Sequence, residues 1–536
     1  MYSMFILSFE WLQLQMHGKS SLLSLSFAVV LVTIIAVRHV FSGSKKLPFP
    51  IVGSINYHEM KKDSIEGALK YPNEPFILPS SPPVVILPEC VFDEVRNLPE
   101  SIASFMQVVK TDFNYRHTSL GQERPEVIAA VKEDLTKNID SVVGCLQDEV
   151  KYGFEKEIGP CSEWTPVPLY RAMIRTVALM SSRVFVGLPL SREEEWLQAT
   201  INFTTYAVAA SDVVRGWNIF LRPFVAPFLG EIRRVKRYKD RGGELLAPFL
   251  RQKLEEIQNG KLLVPFEQER FSFIGWILKH TKENERRNSS VMGLNQMTLS
   301  LVAIHTTSMA ITHAIFDLAS RPEYIQPLRD EITEVIKQDG HGVTDATKRL
   351  KRLSIPKLKK LDSFIRESQR MSTSGLFIGA RVAMQPIHLS TGHTIPTGTK
   401  FAVNSWAIHH LPSSQTFSPA YNPPRTYKPP NEFDGYRFYK LRQMPGKENK
   451  HQYTSTAPNS LTFGHGSHTC PGRHFAGYEL KVILIELLME YDVRCKGDID
   501  GKGGEDMRPP DILSQAAIYP NPFAELKFKK RTAEVI

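Results

Sequence analysis

Hydrophobic positions along this chain follow the helical period over most of its length and the strand period only in short pieces. Pro83 to Leu87 (PVVIL) reads as an early strand, and from about Glu126 to Met371 apolar residues recur in long amphipathic helical stretches. One of these, Gly293 to Ala319, is apolar almost throughout and stops at Arg321-Pro322. Leu376 to Val403 changes to β-branched runs with glycine turns at Thr391-Gly392-His393 and Pro396-Thr397-Gly398. Six prolines between His410 and Pro430 forbid regular structure and predict an ordered loop over the body. A last apolar helix is expected from about Pro471 to Tyr491, and a Pro-punctuated strand pair after it. No repeat or long linker divides residues 51–536. The pattern predicts one large, mainly α domain with a minor β-rich region.

Ser20 to Val37 stands apart as an uncharged run of 18 residues bracketed by Lys19 and Arg38. As a helix it spans about 27 Å, enough for a thin bilayer. A cleaved signal peptide is the rival reading, but its apolar core would be shorter and nearer the start. The chain is therefore parsed as an N-terminal extension (1–19), a transmembrane anchor (20–37), a basic, Pro-rich hinge (38–50) and the body (51–536). Arg38, His39, Lys45 and Lys46 outweigh His17 and Lys19, which places the body in the cytosol. Two glycosylation sequons, Asn202-Phe203-Thr204 and Asn288-Ser289-Ser290, matter only if that topology is reversed.

Composition narrows the class. With 42% hydrophobic and 23% charged residues in 536, a disordered or disulfide-scaffold protein is excluded. Cys90, Cys145, Cys161, Cys470 and Cys495 form an odd set without a CxxC pair, which suits reduced thiols. The net charge of +10 comes from Lys and Arg spread along the chain, with no basic block interleaved with aromatics. Anionic lipid or an acidic partner fits that distribution, and nucleic acid does not.

The most informative stretch is Phe463-Gly464-His465-Gly466-Ser467-His468-Thr469-Cys470-Pro471-Gly472-Arg473. Cys470 precedes a proline suited to a first helical turn, so free backbone N–H groups are expected to face its sulfur and lower its pKa. The three glycines permit a tight loop against something flat. Residue chemistry alone leaves three readings open: a thiolate ligand for haem iron, a zinc cage with His465, His468 and His474, or a buried structural cysteine.

The stretch resembles the haem-binding signature of the cytochrome P450 family at Phe463, Gly466, Cys470 and Gly472, with His468 where the family usually has Arg. Glu367-Ser368-Gln369-Arg370 on a predicted helix resembles the family's Glu-x-x-Arg pair. By itself it reads as surface decoration. Pro430 to Arg437 resembles the later motif that completes that network through Arg437. Ala303-Ile304-His305-Thr306 resembles the oxygen-binding helix segment, with His305 replacing the usual acid; a helical Thr that merely back-bonds is the plain alternative. Arg381 falls where the family keeps a propionate-binding arginine, against a plain exposed strand arginine. Ile201 to Gly230 matches a region that covers the substrate channel and dips toward the membrane, though a core helix pair would look similar. Gly375, Leu376 and Phe377 are expected near the channel.

The resemblance implies a cytochrome P450-like fold holding haem b on Cys470, with Phe463, Gly466, His468, Gly472 and Arg381 around it. Thr306 and His305 are the implied catalytic residues, and Glu367, Arg370 and Arg437 the structural network. It further implies an endoplasmic-reticulum monooxygenase drawing electrons from NADPH through NADPH–cytochrome P450 reductase, with Arg473 and Lys481 adding charge to that contact. The implied substrate is an apolar small molecule of terpenoid type, as in fungal secondary metabolism. A P450-fold isomerase or dehydratase needing no electrons, and a non-enzymatic membrane-anchored binding protein, are the rivals.

Overall fold

The computed structural model describes residues 31–32, 47–54, 59–80, 82–258, 273–339, 354–411 and 429–532. The chain divides into two compact units, Met1–Phe49 and Pro50–Ile536. In the first, Leu31 and Val32 are helical and exposed; the rest of the expected anchor, and the hinge up to residue 46, lie outside the described residues.

The second unit is mainly helical. In chain order its larger helices are α1 (Met60–Lys70), α2 (Phe105–Asp112), α3 (Ile139–Glu157), α4 (Leu169–Phe185), α5 (Glu194–Arg215), α6 (Gly230–Gln258), α7 (Ser289–Ser320), α8 (Ile325–Gln338), α9 (Lys359–Met371), α10 (Arg437–Arg442) and α11 (Arg473–Glu490). The long apolar segment becomes α7, which α4, α5, α6, α9 and α11 surround. A helix apolar on nearly all sides must be covered on nearly all sides. Among the described residues it is the one helix long and apolar enough to cross a membrane, yet 72% of its apolar window is buried inside this unit. It is a core helix. Asn288 caps it, its Oδ1 accepting the N–H of Ser290 at 3.1 Å and of Val291 at 3.2 Å. The other sequon lies on α5, with Thr204 fully buried.

Strands β1 (Phe76–Leu78), β2 (Val84–Leu87), β3 (Ala103–Ser104), β4 (Thr165–Pro168), β5 (Phe377–Ala383), β6 (Ile387–His388), β7 (Thr394–Ile395), β8 (Lys400–Asn404), β9 (Tyr491–Cys495), β10 (Ile512–Ser514), β11 (Ala517–Tyr519) and β12 (Glu525–Lys530) form the minority. The main sheet runs β1-β2-β8-β5-β3, with β2 and β8 parallel and the other pairs antiparallel. A second sheet runs β4-β12-β9, and β6–β7 and β10–β11 pair separately. The turn expected at Gly392 joins β6 to β7 with φ +79.

Two expectations change here, and a third falls outside the described residues. Leu376 is fully buried against Met60 and Ile518, and Phe377 opens β5 opposite Asn404, because strand pairing draws both into the body. Leu376 precedes and Phe377 begins an ordered strand rather than a variable loop. The Pro-rich stretch after His410 lies outside the described residues from 412 to 428. Ile201–Gly230 splits in two: Phe203 is core, whereas Trp217 (39% exposed), Ile219 (63%), Phe224 (70%) and Phe228 (76%) face outward.

Candidate active site

The cysteine loop closes on itself before α11 begins. Phe463 O accepts the Cys470 N–H at 2.8 Å, and Gly466 O accepts from Thr469 through both N–H and Oγ1. Gly466 has φ +90, and a Cβ there would lie 2.8 Å from Arg96 O and 2.9 Å from Asn97 Oδ1. Only glycine fits. Ser467 then fastens the loop to that same pair, donating its N–H to Asn97 Oδ1 and its hydroxyl to Arg96 O, both at 3.1 Å. Helix α11 starts at Arg473, two residues later than expected, with Gly472 as its N-cap.

The backbone N–H groups of Gly472 and Arg473 do face the Cys470 sulfur, and they and the Arg473 charge favour thiolate. Burial opposes them and wins, so the Cys470 thiol is pushed up rather than lowered. The sulfur sits too deep for the helix start to prevail. A coordinating metal ion reverses this balance, since it deprotonates a thiol outright.

Around this loop the charges are unusual. Arg381 is 3% exposed and donates to the carbonyls of Leu98 at 3.1 Å and Arg96 at 2.9 Å. Among the described residues it pairs with no carboxylate, and burial lowers its pKa, with Glu100 the one acid opposing. It is no exposed strand arginine. His468 has a partner that its sequence did not announce: its Nε2 lies 3.2 Å from Glu100 Oε1, and its ring packs on Phe105. Burial, then Arg381, pulls the His468 imidazole down against the pull of Glu100. Burial pushes Glu100 up, but bonds from Ser104 Oγ and the N–H groups of Phe105 and Met106 outweigh it and hold it low. Arg96 and Glu100 were missed in the sequence because only the fold brings them to the loop.

The zinc reading loses its ligands. His465 spends Nε2 on Arg96 and Nδ1 on Thr456, both at 3.0 Å, and His468 turns to Glu100. Among the described residues no cluster of His, Cys, Asp or Glu is disposed to hold a metal ion.

The Glu367 network is complete and buried. Arg370 Nη2 and Nε bond the Glu367 carboxylate at 2.8 and 2.9 Å, and Arg437 Nε reaches both oxygens at 3.0 and 3.1 Å. Asp434 N–H adds a bond at 3.0 Å, and Arg370 also donates to the carbonyls of His409, Pro430 and Glu432. This is no surface decoration. Lys481, by contrast, is buried on Asp362 at 2.5 Å and offers no charge to a docking partner.

Helix α7 opens to the outside at Val302 (58% exposed) and Thr306, four residues on, while Ile304, Thr307 and Ser308 are buried. Thr306 Oγ1 donates to Val302 O at 2.7 Å, so it back-bonds and keeps its lone pairs free to accept. His305 Nε2 is buried with no partner among the described residues, and burial pulls its pKa down. A neutral imidazole with one uncommitted nitrogen can take or give a proton there.

A haem brings an iron and two carboxylates, and the residues present suit it. Cys470 supplies a soft ligand with N–H donors behind it, and Arg381 is a buried cation wanting an anion. A Cβ on Gly472 would meet nothing within 4 Å, so that side of the loop is open.

Such a site defines a haem–thiolate protein. Residues 124–506 match the family described as Cytochrome P450, and the chain belongs to that family. It is 46% identical to cytochrome P450 monooxygenase ascG of Acremonium egyptiacum over 511 residues, covering 95% of each chain. It is 39% identical to cytochrome P450 monooxygenase 3 of Gibberella fujikuroi over 470 residues, 87% of this chain and 88% of that one. A third relative, cytochrome P450 monooxygenase ORF5 of Penicillium roqueforti, is 33% identical over 531 residues. The chain is thus an oxidoreductase with a haem–thiolate cofactor, and the non-enzymatic rival falls away.

Proposed function

We propose that this chain is a monooxygenase anchored in the endoplasmic reticulum membrane by residues 20–37, its body in the cytosol. It oxidises an apolar, terpenoid-type secondary metabolite, taking electrons from NADPH through NADPH–cytochrome P450 reductase. The balance is substrate C–H, O2, NADPH and a proton going to C–OH, water and NADP+. The observation that carries this reading is Cys470, held by a glycine loop at the start of α11 with backbone donors at its sulfur. Bound haem with a thiolate ligand supplies the oxygen chemistry that attacks unactivated C–H bonds.

The protein's own residues do the rest. Cys470 is the ligand, with Phe463, Gly466 and Gly472 shaping its loop, and Arg381 and His468 hold the propionates. Glu367, Arg370 and Arg437 keep that side rigid. Thr306 Oγ1 accepts a hydrogen bond on the open side of α7, and His305 Nε2 passes the proton where the family usually has an acid. The outward aromatics between Trp217 and Phe228 favour an apolar, membrane-borne substrate.

The test is a carbon monoxide difference spectrum of the dithionite-reduced full chain. A strongly red-shifted Soret band that vanishes in Cys470→Ala is expected; its absence from folded protein sinks the ligand reading. NADPH-dependent oxygen consumption with substrate then separates oxidation from electron-free rearrangement.

A further inference from the structure

Residues 96–100 form a wall on which both parts of the propionate site lean. Arg381 of β5 donates to the carbonyls of Leu98 and Arg96, and the cysteine loop reaches the same stretch through Gly466 and Ser467, which close on Arg96 and Asn97. Glu100 ends the wall, and its carboxylate is fixed from its own side. Oε2 accepts from Ser104 Oγ at 2.7 Å and from the Met106 N–H at 3.3 Å, and Oε1 accepts the Phe105 N–H at 3.1 Å. The chain turns back at Pro99, whose carbonyl accepts the N–H groups of Ile102 and Ala103, each at 2.9 Å. Glu100 is therefore a rigid post at the start of α2, set there without help from the loop.

Against that post stands His468. Its Nε2 lies 3.2 Å from Glu100 Oε1, and its ring lies on Phe105 with centroids 5.4 Å apart. Helix α2 already has a cap, since Ser104 Oγ accepts the Gln107 N–H at 2.9 Å, so the helix end does not by itself call for Glu100. What the carboxylate does is orient the imidazole. A charge at this distance draws an N–H edge toward itself. An imidazole has two nitrogens to spend, where a guanidinium has five donors. With Nε2 turned to Glu100, Nδ1 is the nitrogen left for a second anion. The Glu100 side chain is 42% exposed and its charge already meets three donors, so its repulsion of a propionate is the smaller effect.

We infer that Glu100 is a positioning residue for bound haem: it holds the His468 imidazole in one orientation, so that Nδ1 is the atom that meets a propionate. This rests on the reading of Arg381 and His468 as the propionate residues. Partners one step removed from a bound group commonly fix its contacts in this way.

The experiment uses haem-loaded, full-length wild type, Glu100→Gln, His468→Ala and the double variant. Haem transfer to excess apomyoglobin is timed, and the propionate bending bands are recorded by resonance Raman. Glu100→Gln is expected to lose haem roughly fivefold faster than wild type and to shift those bands. The double variant is expected to lose haem no faster than His468→Ala. Unchanged or slower loss in Glu100→Gln, unshifted bands, or a Glu100→Gln effect that persists without His468 overturns the inference alone. If His468→Ala holds haem as wild type does, the propionate reading falls and this inference with it. Should Glu100→Gln purify without haem, Ser104→Ala decides, because it loosens the same helix end and leaves the His468 contact in place. Haem retention there upholds the inference, and haem loss assigns the effect to α2 and overturns it.

Discussion

Glu479 shows how one residue can link burial to pH. It sits on α11, fully buried, with Oε1 accepting from Ser181 Oγ of α4 at 2.8 Å and Oε2 without a partner. Burial pushes its carboxyl up to about 8, the Ser181 bond opposing only in part, so it is protonated at neutral pH. In the unfolded chain the same group ionises near 4.5. The folded state therefore holds a proton that the unfolded state has lost, and stability falls as pH rises from about 4.5 to 8. The span corresponds to roughly 5 kcal/mol at most. Glu479→Gln mimics the neutral acid and removes that slope. Unfolding midpoints of wild type and variant are expected to coincide near pH 5 and to separate toward pH 8, the variant becoming the more stable. Parallel curves would mean the acid is not buried as described. Nothing in the sequence marked Glu479, because its partner lies 298 residues away and an acid in an apolar helix reads as exposed.

Element by element, legibility followed local signals. Helix α7 and strand β2 were visible because period and composition suffice, and the Cys470 loop because its residues are contiguous. The partners of that loop were not visible: Arg96, Asn97 and Glu100 arrive through the fold, and Lys481 looked solvated until Asp362 on α9 appeared opposite it. The glycines of the loop separate for the same reason. Gly466 combines φ +90 with main chain at 2.8 Å, whereas Gly472 has an ordinary N-cap backbone at φ -85 and open space around its missing Cβ. Gly466→Ala must push residues 96–97 away and cost about 1–3 kcal/mol from strain alone. Thermal unfolding of the haem-free protein is expected to drop for Gly466→Ala and stay put for Gly472→Ala. Any loss in the second variant should then appear in haem retention, which measures how closely the prosthetic group approaches. Equal drops in both scaffolds would contradict this division.

At the scale of the whole molecule, two features bear on the proposed attachment to a bilayer. The uncharged run at 20–37 has the length of a single span, and the body carries its own apolar surface at Trp217, Ile219, Phe224 and Phe228. Arg233, Arg234, Lys236 and Arg237 follow at the exposed start of α6, a basic stripe suited to anionic headgroups. The two attachments differ in kind, so they separate under different washes. The full chain in microsomes is expected to stay in the pellet after alkaline carbonate, as a spanning segment does. A chain lacking 20–37 should pellet at low salt and leave in carbonate. Each outward phenylalanine contributes about 1.5–3 kcal/mol when buried in lipid. Adding Phe224→Ser and Phe228→Ser to that deletion should therefore weaken vesicle binding at least a hundredfold and send the protein to the supernatant at physiological salt. If the doubly substituted chain still sediments with vesicles, the surface between Trp217 and Phe228 does not touch the membrane, and its exposed aromatics must be covered by another protein.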